Sequence, residues 1–211
     1  MELIAPEVAA YLDHLVPERH PEMQAMEVRA RETNFPIIGP ASGYFCYLVT
    51  RMLGATSVFE LGSGFGYSTA WFALAVRDNG GGTVHHVVWD EELSDRACVH
   101  LNAMGLQKIV KFHVGEAVGI LAEQSDTYDV VFNDIDKEGY PGSLPVIRER
   151  LKSGGVLITD NALWHARIFD KNDRSKQTEG VREFTRILTQ SDEWSTSLIP
   201  IRDGLLLARK K

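Results

Sequence analysis

The chain has 211 residues, 44% of them hydrophobic, and a formal net charge of −7 from 22 basic and 29 acidic side chains. That length and apolar content supply one globular domain with a full core, and the acidic balance argues against a surface built to track phosphate backbones. No run of 18 apolar residues is present, which excludes a transmembrane helix and a membrane partner of that kind.

Residues 1–55 read as helices. Val8, Ala9, Tyr11, Leu12 and Leu15 begin an amphipathic pattern that Pro17 interrupts. A second helix covers 22–33 and stops at Asn34-Phe35-Pro36; after a Gly39-Pro40 turn, a third over 44–53 ends at Gly54. Strands and helices then alternate, with strands over 58–61, 83–89, 110–114, 128–133 and 156–159 and helices over 67–76, 94–104, 117–123, 144–151 and 180–190. Residues 195–201 and 204–208 close the chain as a hairpin around Arg202-Asp203, and the charged stretch 167–176 reads as a solvated loop placed to act as a lid. This alternation predicts a doubly wound α/β fold. Its mostly parallel, seven-stranded sheet carries helices on both faces, an antiparallel C-terminal hairpin and extra N-terminal helices. With no repeat or linker, we expect a single domain over 1–211, in which 1–55 form the helical region and 56–211 the sheet.

Val58-Phe59-Glu60-Leu61 runs into Gly62-Ser63-Gly64-Phe65-Gly66-Tyr67-Ser68, a buried strand feeding a tight glycine turn and a helix. In α/β sheets this is where nucleotide-like ligands bind, and glycine lets the backbone approach them. The spacing is not the G-x-G-x-x-G dinucleotide fingerprint. Glu60 would repel a pyrophosphate but suits a cationic methionine moiety, which favours S-adenosylmethionine over NAD. The fourth strand ends at Asp134-Ile135-Asp136-Lys137 and the fifth at Asp160-Asn161-Ala162-Leu163-Trp164. Acids at the ends of buried strands are costly unless a cation or donors receive them. Asp134, Asp160 and the Asn161 carbonyl therefore make a candidate set of hard oxygen ligands for Mg²⁺, Mn²⁺ or Ca²⁺.

Six blocks in order carry a resemblance: Ile38-Gly39-Pro40 with Gly43, Glu60 to Gly64, Asp134 to Lys137 with Tyr140, Gly154-Gly155, Asp160-Asn161 with Leu163-Trp164, and Ile199-Pro200 with Asp203-Gly204. From about Phe35 onward the chain resembles the cation-dependent class I O-methyltransferases, the group that includes caffeoyl-CoA and catechol O-methyltransferases. The resemblance implies methyl transfer from S-adenosylmethionine to a hydroxyl of a small, catechol-like aromatic acceptor. It puts a divalent cation on Asp134, Asp160 and Asn161, the cofactor on Glu60, Gly62, Ser63, Gly64, Ser68, Ala117 and Asp136, and the general base at Lys137. Asp134 joins Lys137 as catalytic, and His165 and Trp164 fall on the substrate side.

The ribose-binding acid of the family aligns with Val88, so Asp90, two residues on, is the substitute if the strand runs longer, with Glu91 behind it. A homodimer is also implied. Two cysteines without metal spacing read as buried free thiols, and residues 1–7 lack a basic region followed by an apolar core, so a cytoplasmic protein is expected. Bland readings stand beside these: Asp136 as a cap, Lys137 as a solvated lysine, Trp89 and Trp164 as packing residues, His165 as surface, and His85, His86 and His113 as structural. An NAD-dependent oxidoreductase and a non-catalytic S-adenosylmethionine-binding protein remain the alternatives.

Overall fold

The computed structural model describes residues 3–211. Met1 and Glu2, which open the segment read for a leader sequence, lie outside the described residues. Three helices come first: α1 (Pro6–His14), α2 (Pro21–Thr33) and α3 (Gly39–Met52). There follow β1 (Ser57–Leu61), α4 (Tyr67–Asp78), β2 (Thr83–Val88), α5 (Glu91–Ala103), β3 (Val110–Val114), α6 (Ala117–Glu123) and β4 (Tyr128–Asn133). After α7 (Tyr140–Arg150) and β5 (Leu151–Thr159) come α8 (Lys176–Gln190), β6 (Trp194–Ile199) and β7 (Leu205–Lys210). The strands form one seven-stranded sheet in the order β3-β2-β1-β4-β5-β7-β6. β1 to β5 pair in parallel and β7 runs antiparallel to both β5 and β6. This is the doubly wound, mostly parallel sheet with an antiparallel C-terminal hairpin that the alternation predicts.

Strand periodicity splits the core into two layers. Val58, Phe132 and Ile158 face one apolar cluster, packed by α2 to α5, while Phe59, Leu61, Val131 and Leu157 face the other, packed by α6 to α8. The order reverses between β1 and β4. A doubly wound sheet opens its ligand crevice at such a switch, beyond the carboxyl ends of the strands.

Several boundaries differ from expectation. Gly39-Pro40 begins α3 instead of preceding it, because proline fits the first helical turn, where its missing N–H has no partner to lose. α7 starts at Tyr140, by the same tolerance for Pro141, and carries Pro145 in its interior. α8 starts at Lys176, where the Ser175 hydroxyl caps Thr178 N–H. The 167–176 stretch is cross-tied: the Arg182 guanidinium collects the carbonyls of Ile168 at 3.0 Å, Asp173 at 2.7 Å and Arg167 at 3.2 Å. Both cysteines are free thiols, but only Cys46 is buried; Cys98 is half-buried on α5.

Candidate active site

β1 leaves the core through Gly62, Gly64 and Gly66, with φ of 84°, 49° and 90°. A Cβ on Gly62 would stand 2.6 Å from the Asp134 carbonyl oxygen, so only glycine lets the β1 and β4 ends come this close. Ser63 ties the turn to β2 twice: its N–H donates to Val87 O at 2.9 Å, and Val87 N–H donates to its hydroxyl at 3.0 Å.

Three adjoining cavities surround this turn. The largest, about 570 Å³, brings together Gly62, Gly64, Asp90, Asp134, Asp136, Lys137, Asp160, Asn161, Trp164 and His165. A small recess adds Ser63 and Ser68, and a cavity of about 300 Å³ adds Ala117 beside Asp136. Glu60 is the exception. It is fully buried and lines none of the three, its carboxylate accepting the hydroxyls of Ser68 and Thr69. Burial pushes its carboxyl up to about 7, against the Ser68, Thr69 and Ser63 hydroxyl bonds that favour the anion. The structure places it beneath the turn, bracing the serines that face the cavity.

Asp160 is 2% exposed, and its Oδ1 is buried without a hydrogen-bond partner. Its Oδ2 accepts from Arg202 Nη1 at 3.0 Å. Burial, reinforced by the neighbouring Asp134 carboxylate, raises its pKa, and Arg202 offsets only part of that cost. Asn161 sits in the left-handed region, φ 55°. Its amide nitrogen donates to Asp203 Oδ2 at 2.9 Å, which leaves the amide oxygen as the free end. Among the described residues no three His, Cys, Asp or Glu side chains group as a metal site. The set here is two carboxylates and an amide, an all-oxygen combination that fits a hard cation.

Lys137 is buried on a 3₁₀ turn after β4. Its Nζ donates to Asp134 Oδ1 at 2.6 Å and to Ile135 O at 3.2 Å, and lies 5.2 Å from the Tyr140 ring centroid. The solvated-lysine reading does not hold. Trp164 and His165 both have positive φ, 46° and 52°. The Trp164 indole nitrogen is buried without a partner, and the His165 backbone N–H donates to Asp203 Oδ1 at 2.6 Å.

The O-methyltransferase family model matches residues 9–211. The chain belongs to that family. It is an S-adenosylmethionine-dependent O-methyltransferase, which decides against the NAD-dependent oxidoreductase alternative. The methyltransferase is 27% identical to a catechol O-methyltransferase of Niastella koreensis over 81% of this chain and 80% of that one. A methyltransferase structure from Geobacter sulfurreducens is 30% identical with a TM-score of 0.84, over 100% of this chain and 99% of that chain. The O-methyltransferase TomG of Streptomyces achromogenes, solved with S-adenosylmethionine, is 24% identical with a TM-score of 0.87, over 97% and 96% of the two chains. That last likeness speaks for the fold alone.

The end of β2 departs from the sequence reading. The strand stops at Val88, so Asp90 shares no strand face with it; Asp90 is the N-cap of α5, its Oδ1 accepting Leu93 N–H at 3.1 Å. Trp89, read as a packing residue, is 68% exposed and lines both larger cavities. Three contributors to the methyltransferase's site escaped the sequence reading: Arg202 and Asp203, which the hairpin turn delivers to Asp160 and Asn161, and Phe35, whose ring covers Gly64. The Asp203-Gly204 pair was visible as a motif. Its contact partners, some 40 residues away in the chain, were not.

Proposed function

We propose that this methyltransferase methylates a hydroxyl of a small, catechol-like aromatic acceptor in a reaction that depends on a divalent cation. The observation that carries the reading is the buried, unpartnered Oδ1 of Asp160, with the Asp134 carboxylate lining the same cavity beside the glycine turn. Lys137 and Arg202 each pair with one oxygen of these acids, and a cation would partner the Asp160 oxygen that remains. Asp134, Asp160 and Asn161 hold the cation, Mg²⁺, Mn²⁺ or Ca²⁺. When bound, it supplies Lewis-acid polarisation that makes an acceptor hydroxyl easier to deprotonate.

Gly62, Ser63, Gly64, Ser68, Ala117 and Asp136 hold S-adenosylmethionine, with Glu60 bracing Ser68 from below. The close approach of Gly62 to the β4 end supports this, because a side chain there would collide with the Asp134 carbonyl and push the two strand ends apart. Lys137 Nζ takes the proton of the acceptor hydroxyl. Trp164 and His165 form the acceptor wall, and the Trp164 face suits an aromatic ring. Much of the acceleration comes from holding both reactants at attack distance in one cavity.

We read residues 1–211 as one domain acting as a cytoplasmic homodimer. Free thiols support a reducing compartment, and the exposed Val8, Tyr11, Leu48 and Met52 on α1 and α3 supply an apolar face for a second copy. The reaction is tested by incubating the protein with methyl-labelled cofactor and a panel of vicinal-diol aromatics, with Mg²⁺ or with EDTA. Transfer to catechols that EDTA stops and Mg²⁺ restores is expected. Full transfer in EDTA would remove the cation from the reaction.

A further inference from the structure

Doubly wound sheets that bind adenosine cofactors place an acid near the carboxyl end of the second strand, where it takes the ribose hydroxyls. In this chain that end is Val88, buried and apolar. The acids that follow β2 and β3 are helix caps, and Asp136 and Glu138 reach the cavity of about 300 Å³ from the segment after β4. Asp90 commits Oδ1 to capping α5 and lines the larger cavity beside Val88 and Trp89, not the smaller one. Glu116, which does line it, commits both oxygens as the N-cap of α6, accepting Val118 N–H at 2.9 Å and Gly119 N–H. What the strand end presents is Val87, Val88 and Trp89.

Trp89 is the unusual member. Its side chain is 68% exposed, and it borders both the smaller cavity and the one holding the acids. A large aromatic at that junction gains by covering its face with a flat, apolar ligand surface, and a purine offers one. We propose that Val88 and Trp89 hold the adenosine end of the cofactor by apolar and stacking contact in place of a carboxylate on the ribose. The site therefore accepts cofactors that lack one ribose hydroxyl. This rests on the reading that these cavities bind S-adenosylmethionine.

Titration calorimetry of the full chain with S-adenosylhomocysteine and its 2′-deoxy and 3′-deoxy analogues tests it. Carboxylate recognition would make loss of one hydroxyl cost roughly tenfold or more in Kd, whereas less than about threefold is expected here. Trp89→Ala should weaken all three ligands alike by about tenfold, with Trp89→Phe recovering most of it. Because Trp89 is exposed, both variants are expected to fold, checked by an unchanged melting curve. Val88→Asp should create a preference for the fully hydroxylated ligand. Tenfold discrimination by the unmodified protein, or unchanged affinity in Trp89→Ala, would overturn the proposal while leaving the cofactor cavity in place. No binding of S-adenosylhomocysteine at all would remove the cavity assignment and the proposal with it.

Discussion

Asp203, in the turn between the last two strands, accepts a hydrogen bond from the Asn161 amide at 2.9 Å across 42 positions of sequence. The same buried carboxylate accepts the His165 backbone N–H at 2.6 Å. One side chain thus orients the proposed amide ligand and pins a left-handed loop that ordinary residues resist. Removing it leaves two donors unmet. Asp203→Ala should cost about 2–3 kcal/mol in urea unfolding and weaken Mn²⁺ binding measured by paramagnetic titration. A stability change under about 0.5 kcal/mol with unaltered Mn²⁺ affinity would show that the bridge organises nothing.

Lys137→Ala should lower kcat by about 10² or more while leaving the Kd for S-adenosylhomocysteine within about twofold, since Lys137 is assigned to proton transfer and not to cofactor binding. Single-turnover kinetics beside calorimetry would separate the two. Near-normal turnover would take the lysine out of the mechanism.

Gly62→Ala should nearly abolish cofactor binding. Its φ of 84° costs an alanine roughly 1–2 kcal/mol, and the new methyl would meet the Asp134 carbonyl at 2.6 Å, a backbone atom with little freedom to retreat. Gly80→Ala is the control, with φ of 102° and nothing within 4 Å of the added carbon. It should lose some stability but keep its cofactor affinity. Equal cofactor affinity in the two variants would refute the close-approach argument.

Stability should fall on acidification below pH 6.5, through His86 and His85. Burial lowers the His86 pKa from 6.5 to about 3, and burial with neighbouring His113 and Lys111 lowers that of His85 to about 4. Both fold neutral, while in the unfolded chain each gains a proton below 6.5. Their stabilisation is complete above that pH and drains away toward the folded values, by about 1.4 kcal/mol per pH unit for a group that stays neutral. Glu60 acts oppositely: its pKa, raised from 4.5 to about 7, makes the fold less stable as pH climbs through that interval. Comparing His86→Leu with the parent by urea unfolding at pH 7, 6 and 5 isolates the histidine contribution. The variant should lose less stability on acidification; parallel curves would exclude His86 as the source.

The amino-acid order alone specified the β/α alternation, the glycine turn, the acids closing β4 and β5, and through them the family. These signals are local. A buried strand of five or six residues reads as a continuous apolar run, and a Gly62-Ser63-Gly64 turn needs only its own backbone. Element ends were less legible, because Pro40 and Pro141 break helices in the interior yet start them well, and the string of letters does not say which applies.

Folding in three dimensions settled the rest. Glu60 went under the turn because strand alternation turned it into the α4 layer, where Ser68 and Thr69 could answer its charge. Asp90 became a helix cap because β2 ended one residue earlier than its β-rich letters implied. Arg202 and Asp203 joined the acids only because β7 pairs antiparallel with β5, which carries the hairpin turn back over Asp160. Contacts of that reach depend on how sheets and layers pack, and no periodicity of two or 3.6 residues records them.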